Sequence, residues 1–540
     1  MAGEKKKSSL LLSGVSLSFF TLCSRILGLI REMTKAAFLG TSIYADAFGI
    51  AFMIPNLFRR LFAENSVSVA FIPTFRGYLE ECGTKEGKEA TKQFVAATLT
   101  LVTFLTACVV VIGMIFAPLI VPLFYDGAAQ ESSLVLRETA LLTRIMFPYL
   151  FVISVAAFFQ GVLNGVKIFS PSGFTPVLFN TIVIAATFSL SSHTQNPARA
   201  MAIGVIAGGC AQALFQLPFV VKAGWFCGFT SLKKAFANPG TKKVIALVGP
   251  TVVGMAAYQL NDVVSTALAG KAGTGIVSSL QYSLRLQELI LGIFAVSIGT
   301  VILPDLSGLA KSSDRAGFSR LLIQSVKIIA LISIPITFFS LICGREIISL
   351  VYKSRSFNDE SVFLTLQAFR WHIAGLFFIA MNRIISPAFY AQGNTKSPAL
   401  AGILGFAANI VLAMILVKPL KGGGIALALS AASLANTVFL FAFLKKSPNI
   451  NVKSLIKETA AYSAKIVSLS LAASVPTYFV RKAALLLGKN TAGALGRAGE
   501  FGVPLLICAF LFAAIGIVLL IITKDSIIET ISSLFKRKHK

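Results

Sequence analysis

Eight ionisable side chains lie inside two long apolar segments that together run from residue 22 to residue 75. They are, in chain order, Arg25, Arg31, Glu32, Lys35, Asp46, Arg59, Arg60 and Glu64. An ionisable group inside a bilayer costs roughly 2.5–3.5 kcal/mol on insertion scales. Folding alone does not explain eight such groups in one helical hairpin. We therefore predict that they face a water-filled cavity, and that this cavity holds an anion.

Arginines dominate the predicted cavity. Arg25 lies about halfway along its segment, too deep to reach the membrane surface. Arg31 is about 9 Å further along the helix axis and about 120° around it, and Gly28 between them lets the helix bend. Arg59 and, on a distant helix, Arg285 complete the predicted set. Because guanidinium groups bind phosphate oxygens in pairs, we expect the ligand to carry a phosphate or diphosphate.

The other charged residues of the hairpin allow simpler explanations. Arg60 and Glu64 are four residues apart on one helix face, which favours a structural ion pair. Asp46 lies near a helix start, where it either binds a cationic neighbour or acts as a capping carboxylate. Arg285 and Glu288 are three residues apart, a spacing that also allows an ion pair.

Asp262 and Asn409 are polar residues inside two further apolar segments. Together they are a candidate cation site, although a polar contact between helices is the simpler interpretation.

The composition indicates a membrane protein. Of 540 residues, 56% are hydrophobic and 13% are charged, and the mean hydropathy is +0.80. The net charge of +27 resides mostly in short loops, as in the positive-inside pattern, and no soluble basic domain exists to bind nucleic acid. With three histidines and no phosphate-binding GxxxxGK[ST] loop, the sequence favours transport over catalysis and predicts neither a metal nor a cofactor.

Apolar segments long enough to span a bilayer predict an all-α polytopic protein with about fourteen transmembrane helices. Their predicted ranges are 9–38, 43–75, 94–121, 139–165, 173–191, 200–222, 243–269, 276–308, 320–343, 361–391, 397–417, 423–444, 460–480 and 501–523. Lysine-rich loops and the C-terminal tail fall on the side of the N-terminus, so both termini are expected in the cytoplasm. The 481–499 loop, with Arg481, Lys482, Lys489 and Arg497, is an exception on the outer side.

The segments repeat at an offset of about 225–231 residues, which predicts two six-helix lobes in parallel orientation. Pro171 and Asn180 in the fifth segment correspond to Pro398 and Asn409 in the eleventh. The predicted domains are an N-lobe (1–222), a basic cytoplasmic linker (223–242), a C-lobe (243–445), and a final region (446–540) with two extra helices and a basic tail. Such repeats place the substrate site between the lobes.

Several motifs resemble those of the MurJ (MviN) family of lipid II flippases, within the multidrug/oligosaccharidyl-lipid/polysaccharide exporter superfamily. They are Ser24-Arg-Ile-Leu-Gly-Leu-Ile-Arg-Glu32, Ala45-Asp-Ala-Phe48, Pro55-Asn-Leu-Phe-Arg-Arg-Leu-Phe-Ala-Glu64 and Gly299-Thr-Val-Ile-Leu-Pro304. The resemblance covers essentially the whole chain. It implies an alternating-access carrier in the bacterial inner membrane that moves undecaprenyl-diphosphate-linked peptidoglycan precursor to the periplasmic leaflet.

The resemblance also implies roles for particular residues. The family's cavity arginines fall on Arg25, Arg31, Arg59 and Arg285, and its acidic cavity residue falls on Asp46. A groove for the lipid tail is implied at roughly 460–523. Some members bind sodium, but Ala413 stands where that site needs an acid, so the membrane potential is the alternative driving force.

Three other functions remain open at this stage. A related flippase would carry another polyprenyl-diphosphate glycan. A drug or small-cation exporter of the same superfamily would need acidic binding groups, whereas this cavity is basic. A non-transporting scaffold for cell-wall synthesis proteins would depend on loops such as 222–243 rather than on the cavity charges.

Overall fold

The structure is a computed structural model that describes residues 2–64, 67–125, 131–445 and 450–529. Within these ranges the regular elements are helices, and no strand occurs there. The α-helices are α1 (Ala2–Leu39), α2 (Ile43–Phe58), α3 (Ile72–Glu80), α4 (Lys85–Ile120), α5 (Glu131–Met146), α6 (Pro148–Gly165), α7 (Ser170–Leu190), α8 (Pro197–Lys222), α9 (Leu232–Ala237), α10 (Pro239–Ala272), α11 (Ile276–Lys311), α12 (Arg315–Tyr352), α13 (Asp359–Ala374), α14 (Leu376–Tyr390), α15 (Lys396–Leu444), α16 (Val452–Arg497) and α17 (Val503–Ile522).

The predicted all-α membrane fold is confirmed. Among the described residues, eight helices are long and apolar enough to cross a membrane, or nine if the bent pair α13–α14 is counted as one span. The predicted number of about fourteen spans stays a prediction. Some predicted spans are divided or joined differently: the 361–391 span breaks at Gly375, whereas the 397–417 and 423–444 spans form α15 with a non-helical residue at Lys421.

Two compact units divide the chain, Met1–Ser278 and Ser279–Lys540. In the first unit, α7 packs on α1 and α8, and α2 packs on α5. Phe71, Phe75, Phe94 and Phe158 form a buried aromatic cluster in this unit. Side-chain caps start several of its helices, as where Ser42 accepts a hydrogen bond from the Ala45 N–H at the start of α2. The lobe, linker and tail boundaries drawn from the repeat stay predictions.

The second unit is organised around α12, α15 and α16. The helix α12 packs on α13, α14 and α16, and α15 packs on α13 and α14. The two C-terminal helices α16 and α17 pack against each other and against α12. Cys343 of α12, Ala484 of α16 and Cys508 of α17 are buried together where these three helices meet.

The helix α16 corrects one expectation. The sequence predicts a span over 460–480 followed by a loop over 481–499, but the helix continues to Arg497, and a short π-helical segment, Ala498–Gly502, leads into α17. Arg481 forms a 2.6 Å ion pair with Glu346, and Arg497 donates to the Lys353 carbonyl oxygen. Arg481 and Arg497, two of the four basic residues that loop counting leaves as an exception, therefore attach α16 to the region around α12.

Candidate functional site

The two arginines of α1 lie in different surroundings. Arg31 donates to the Asn180 side-chain oxygen at 3.1 Å and to the Glu32 carboxylate at 2.8 Å, and its guanidinium lies 5.8 Å from the centre of the Phe179 ring. Arg25 is half-buried and makes no hydrogen bond or ion pair with the residues that the structure describes. Arg31 is thus held in place, whereas Arg25 keeps its donors for another partner.

Asn180 of α7 holds this part of α1 with a neutral side chain. Its amide nitrogen donates to the Ser24 carbonyl at 3.3 Å and to the Pro176 carbonyl at 2.9 Å, while its oxygen accepts from Arg31. An amide oxygen orients a guanidinium without cancelling its charge. The sequence singles out Asn180 only as part of the repeat, and nothing in its spacing identifies Arg31 as its partner.

Arg59 begins a π-helical segment, Arg59–Glu64, directly after α2. Pro55 precedes it by one turn and has no N–H for a regular helical hydrogen bond, and wide turns of this type recur at functional sites. The Arg59 Nε donates to the Asn56 side-chain oxygen at 2.8 Å. The sequence analysis did not identify Asn56 as a partner of Arg59, although residues three apart on a helix lie on one face and can contact each other.

Arg60 has a partner on another helix. Its guanidinium lies 3.3 Å from the Asp262 carboxylate of α10, with both side chains more than 40% exposed. The predicted pair of Arg60 with Glu64 is untested, because the Glu64 side chain lies outside the described part of the chain. Asp262, one residue of the candidate cation site, is therefore paired with an arginine side chain. Asn409, the second residue of that candidate site, is buried in α15.

Asp46 is a buried capping carboxylate. It lies in the first turn of α2 but caps the start of α11. It accepts hydrogen bonds from the backbone N–H groups of Gly275, at 2.6 Å, and Ser278, at 2.8 Å, at the start of α11. A helix N-terminus carries partial positive charge and unsatisfied N–H groups, so a carboxylate is well suited there. Lys35 is buried nearby, with its ammonium 5.7 Å from the centre of the Phe48 ring.

Arg285 of α11 is the predicted binding residue of the second unit. Its guanidinium lies 3.3 Å from the Glu288 carboxylate, as the spacing of three residues allows, and the two side chains are 31% and 50% exposed. Partly exposed pairs of this kind contribute at most about 1 kcal/mol to stability. Arg285 is thus accessible to a stronger anionic partner.

An apolar groove of about 390 Å³ lies in the second unit. It is bounded by Phe377 and Met381 of α14, by the end of α15, and by the segment of α16 around Ile456 and Ala460. Lys445 contributes a cation to this groove. Its lining on α16 overlaps only the beginning of the 460–523 region in which a lipid-tail groove is implied.

Comparison with known proteins decides the family. The family model described as lipid II flippase MurJ matches residues 35–490. The chain is 48% identical to "Probable lipid II flippase MurJ" of Treponema pallidum (strain Nichols) over 528 residues, which cover 96% of this chain and 97% of that protein. The chain belongs to the MurJ family. A second relative, "Lipid II flippase MurJ" of Burkholderia cenocepacia, is 33% identical and covers 80% of this chain and 83% of its own length.

Solved structures agree with membership in the MurJ family. The structure titled "Lipid II flippase MurJ, inward closed conformation" is 25% identical, with a TM-score of 0.76, and covers 95% of this chain and 100% of its own. An inward-facing multidrug transporter of the MATE family is 14% identical, with a TM-score of 0.60 over 82% of this chain, and shows the shared fold alone. This MurJ family member is accordingly a multi-pass protein of the bacterial inner membrane, in a family of transporters.

Proposed function

We propose that the chain is a lipid II flippase, which moves undecaprenyl-diphosphate-linked peptidoglycan precursor from the cytoplasmic to the periplasmic leaflet by alternating access. The observation that supports the proposal is the set of hydrogen-bond partners of the hairpin arginines. Arg31 is oriented by Asn180 and by the partly exposed Glu32, and Arg59 is oriented by Asn56. Arg25 donates to no residue that the structure describes, and the chain belongs to the MurJ family. A diphosphate supplies the anion that such a set of cations requires.

In this proposal Arg25, Arg31, Arg59 and Arg285 bind the diphosphate. Asp46 binds the first turn of α11, the helix that also carries Arg285. A change at Asp46 therefore acts directly on the helix of a binding arginine. The sequence placed Asp46 among the substrate-binding residues; in this proposal it holds the first turn of α11 and does not contact the diphosphate, because a carboxylate and a diphosphate repel each other.

The remaining parts of the proposal concern the surroundings. Both termini lie in the cytoplasm, as the basic loops indicate. The polyprenyl tail runs along the region 460–523, and the apolar groove beside α16 supports a path of this kind. Cell-wall synthesis proteins are proposed partners. Transport requires no cofactor and involves no catalytic step, and a cation site at Asp262 and Asn409 remains a secondary proposal.

Complementation tests this function. A bacterium depleted of its own lipid II flippase would express the wild-type chain, Arg25→Ala, Arg59→Ala or the control Arg76→Ala, which removes an exposed arginine of α3. We expect growth with the wild type and the control, and lysis with the other two at equal membrane levels. Rescue by all four would remove the arginine site while keeping the flippase. No rescue by a well-inserted wild type would point to another polyprenyl-diphosphate glycan or to a different solute.

A further inference from the structure

At the break between α13 and α14, three further helices of the second unit, α11, α12 and α15, contact the chain. The two helices are bent by 42° at Gly375. A Cβ at Gly375 would lie 2.8 Å from the Ser430 Cα, so the close approach of α15 requires glycine here. Carbonyl groups at the end of a helix lack their regular partners and have to be satisfied by other donors.

Three consecutive carbonyls before the break accept hydrogen bonds from three different helices. Ser430 of α15 donates to the Trp371 carbonyl at 2.6 Å, and Thr337 of α12 donates to the Ile373 carbonyl at 3.2 Å. Between them, Gln287 of α11 donates to the His372 carbonyl. These three carbonyls are therefore satisfied by neighbouring helices, which makes the break a rigid part of the second unit.

The helix α11 makes a second contact with His372. The Ser283 hydroxyl lies 2.7 Å from the His372 Nδ1, and Ser283, Gln287 and His372 are all buried. Ser283 and Gln287 are four residues apart, on one face of α11. Polar side chains buried among apolar helices are costly unless they are hydrogen-bonded, so this pair of bonds fixes how α11 is rotated against the break.

Arg285 lies between these two residues in sequence and on the opposite face of the helix. Two residues correspond to about 200° around an α-helix, so Arg285 is turned away from both Ser283 and Gln287. Its side chain is 31% exposed and its neighbour Glu288 is 50% exposed. One face of α11 is thus bound to the break while the other presents the arginine.

We infer that His372 is a positioning residue for Arg285, because through Ser283 and Gln287 it sets the rotation of α11 and hence the direction of the guanidinium. The inference rests on the proposed function, in which Arg285 binds the diphosphate. A binding group must be held within about 0.5 Å of its productive position by its supporting residues. Loss of the hydrogen bonds between α11 and His372 leaves Arg285 present but pointing in the wrong direction.

Affinity for purified lipid II, measured on the full chain in detergent, tests the role. We expect His372→Leu and Ser283→Ala to weaken binding by about tenfold each. His372→Asn, which keeps a hydrogen-bonding group near the position of Nδ1, should restore most of the affinity. The matched control is Thr337→Val, which removes a hydrogen bond to the same break from a helix that does not carry Arg285, and it should leave affinity unchanged. Thermal unfolding of each variant shows which of them are folded.

A double-mutant cycle separates positioning from general structural damage. In an Arg285→Ala background, Ser283→Ala should change lipid II affinity by less than about twofold, because the group that it positions is absent. Equal losses in both backgrounds, or an equal loss in Thr337→Val, would overturn the positioning role. If Arg285→Ala alone binds lipid II like the wild type, the proposed binding site fails instead, so the two failures are distinguishable. Unchanged affinity in folded Ser283→Ala and His372→Leu would also overturn the inference.

Discussion

The cations of the α1–α2 hairpin and those of the α16 region have different kinds of partner. In the hairpin, Arg31 and Arg59 donate to the amide oxygens of Asn180 and Asn56, and the one carboxylate that Arg31 contacts, that of its sequence neighbour Glu32, is partly exposed. Around α16, Arg481 pairs with the Glu346 carboxylate at 2.6 Å, and Lys465 pairs with the Asp525 carboxylate at 2.8 Å, and both carboxylates are buried.

The difference separates binding charges from structural ones. An amide oxygen carries no net charge, so it orients an arginine without adding a negative charge beside it. A buried carboxylate cancels the cation, and the pair then holds helices together as long as both partners are present. Arg60 is an intermediate case, since it neighbours Arg59 but pairs with the Asp262 carboxylate in an exposed position.

The largest effect on stability is expected at Glu346. Glu346→Ala leaves Arg481 without its carboxylate in a mostly buried position, which should destabilise the protein by about 3 kcal/mol. Thermal unfolding in detergent measures the loss, and Glu346→Ala combined with Arg481→Met should recover part of it. The control is Asp359→Ala, whose pairs with Arg345 and Lys353 are exposed and should contribute at most about 1 kcal/mol. Equal losses in Glu346→Ala and Asp359→Ala would contradict a special role for the buried pair.

A second substitution gives Arg31 of the hairpin a carboxylate partner from another helix, as Arg481 of α16 has. Asn180→Asp places a second carboxylate against Arg31, beside that of Glu32, which should weaken lipid II binding roughly 5- to 150-fold. The melting temperature should fall only slightly, because the new ion pair offsets the loss of the two hydrogen bonds that the Asn180 amide nitrogen donates. Binding to the purified protein measures the effect, and complementation should fail at normal expression. Asn394→Asp adds the same charge at an exposed loop position and is the control. Wild-type affinity in Asn180→Asp would show that lipid II binding does not depend on the neutral partner of Arg31.

The smallest effect is expected at the intermediate pair. Asp262→Asn removes the carboxylate next to Arg60, and because both side chains are more than 40% exposed the loss of stability should stay within about 1 kcal/mol. Complementation should persist, with the same growth in media of low and high sodium. A sodium-dependent failure of Asp262→Asn would instead assign Asp262 to a cation site.

Much of the fold and part of the site were predictable. Apolar segment lengths predicted an all-α membrane protein, and the break at Gly375 and the continuous helix to Arg497 were the main departures. Arginines too deep to reach the membrane surface identified Arg25 as a binding candidate, and the spacing of Arg285 and Glu288 agrees with their observed contact. The family that the sequence motifs indicated is the family that the family model and the relatives show.

The sequence by itself determined which side chains are too costly to place in lipid, because their chemistry fixes that cost. It also determined which neighbours share a helix face, because helical spacing fixes the face. Only the tertiary structure decided the partners between helices. Arg60 meets Asp262, 202 residues away, and Asp46 caps the start of α11. Three helices meet the carbonyls before Gly375. Such partners depend on how helices pack and rotate, and a charge or a hydrogen-bonding group on one helix does not specify which other helix will satisfy it.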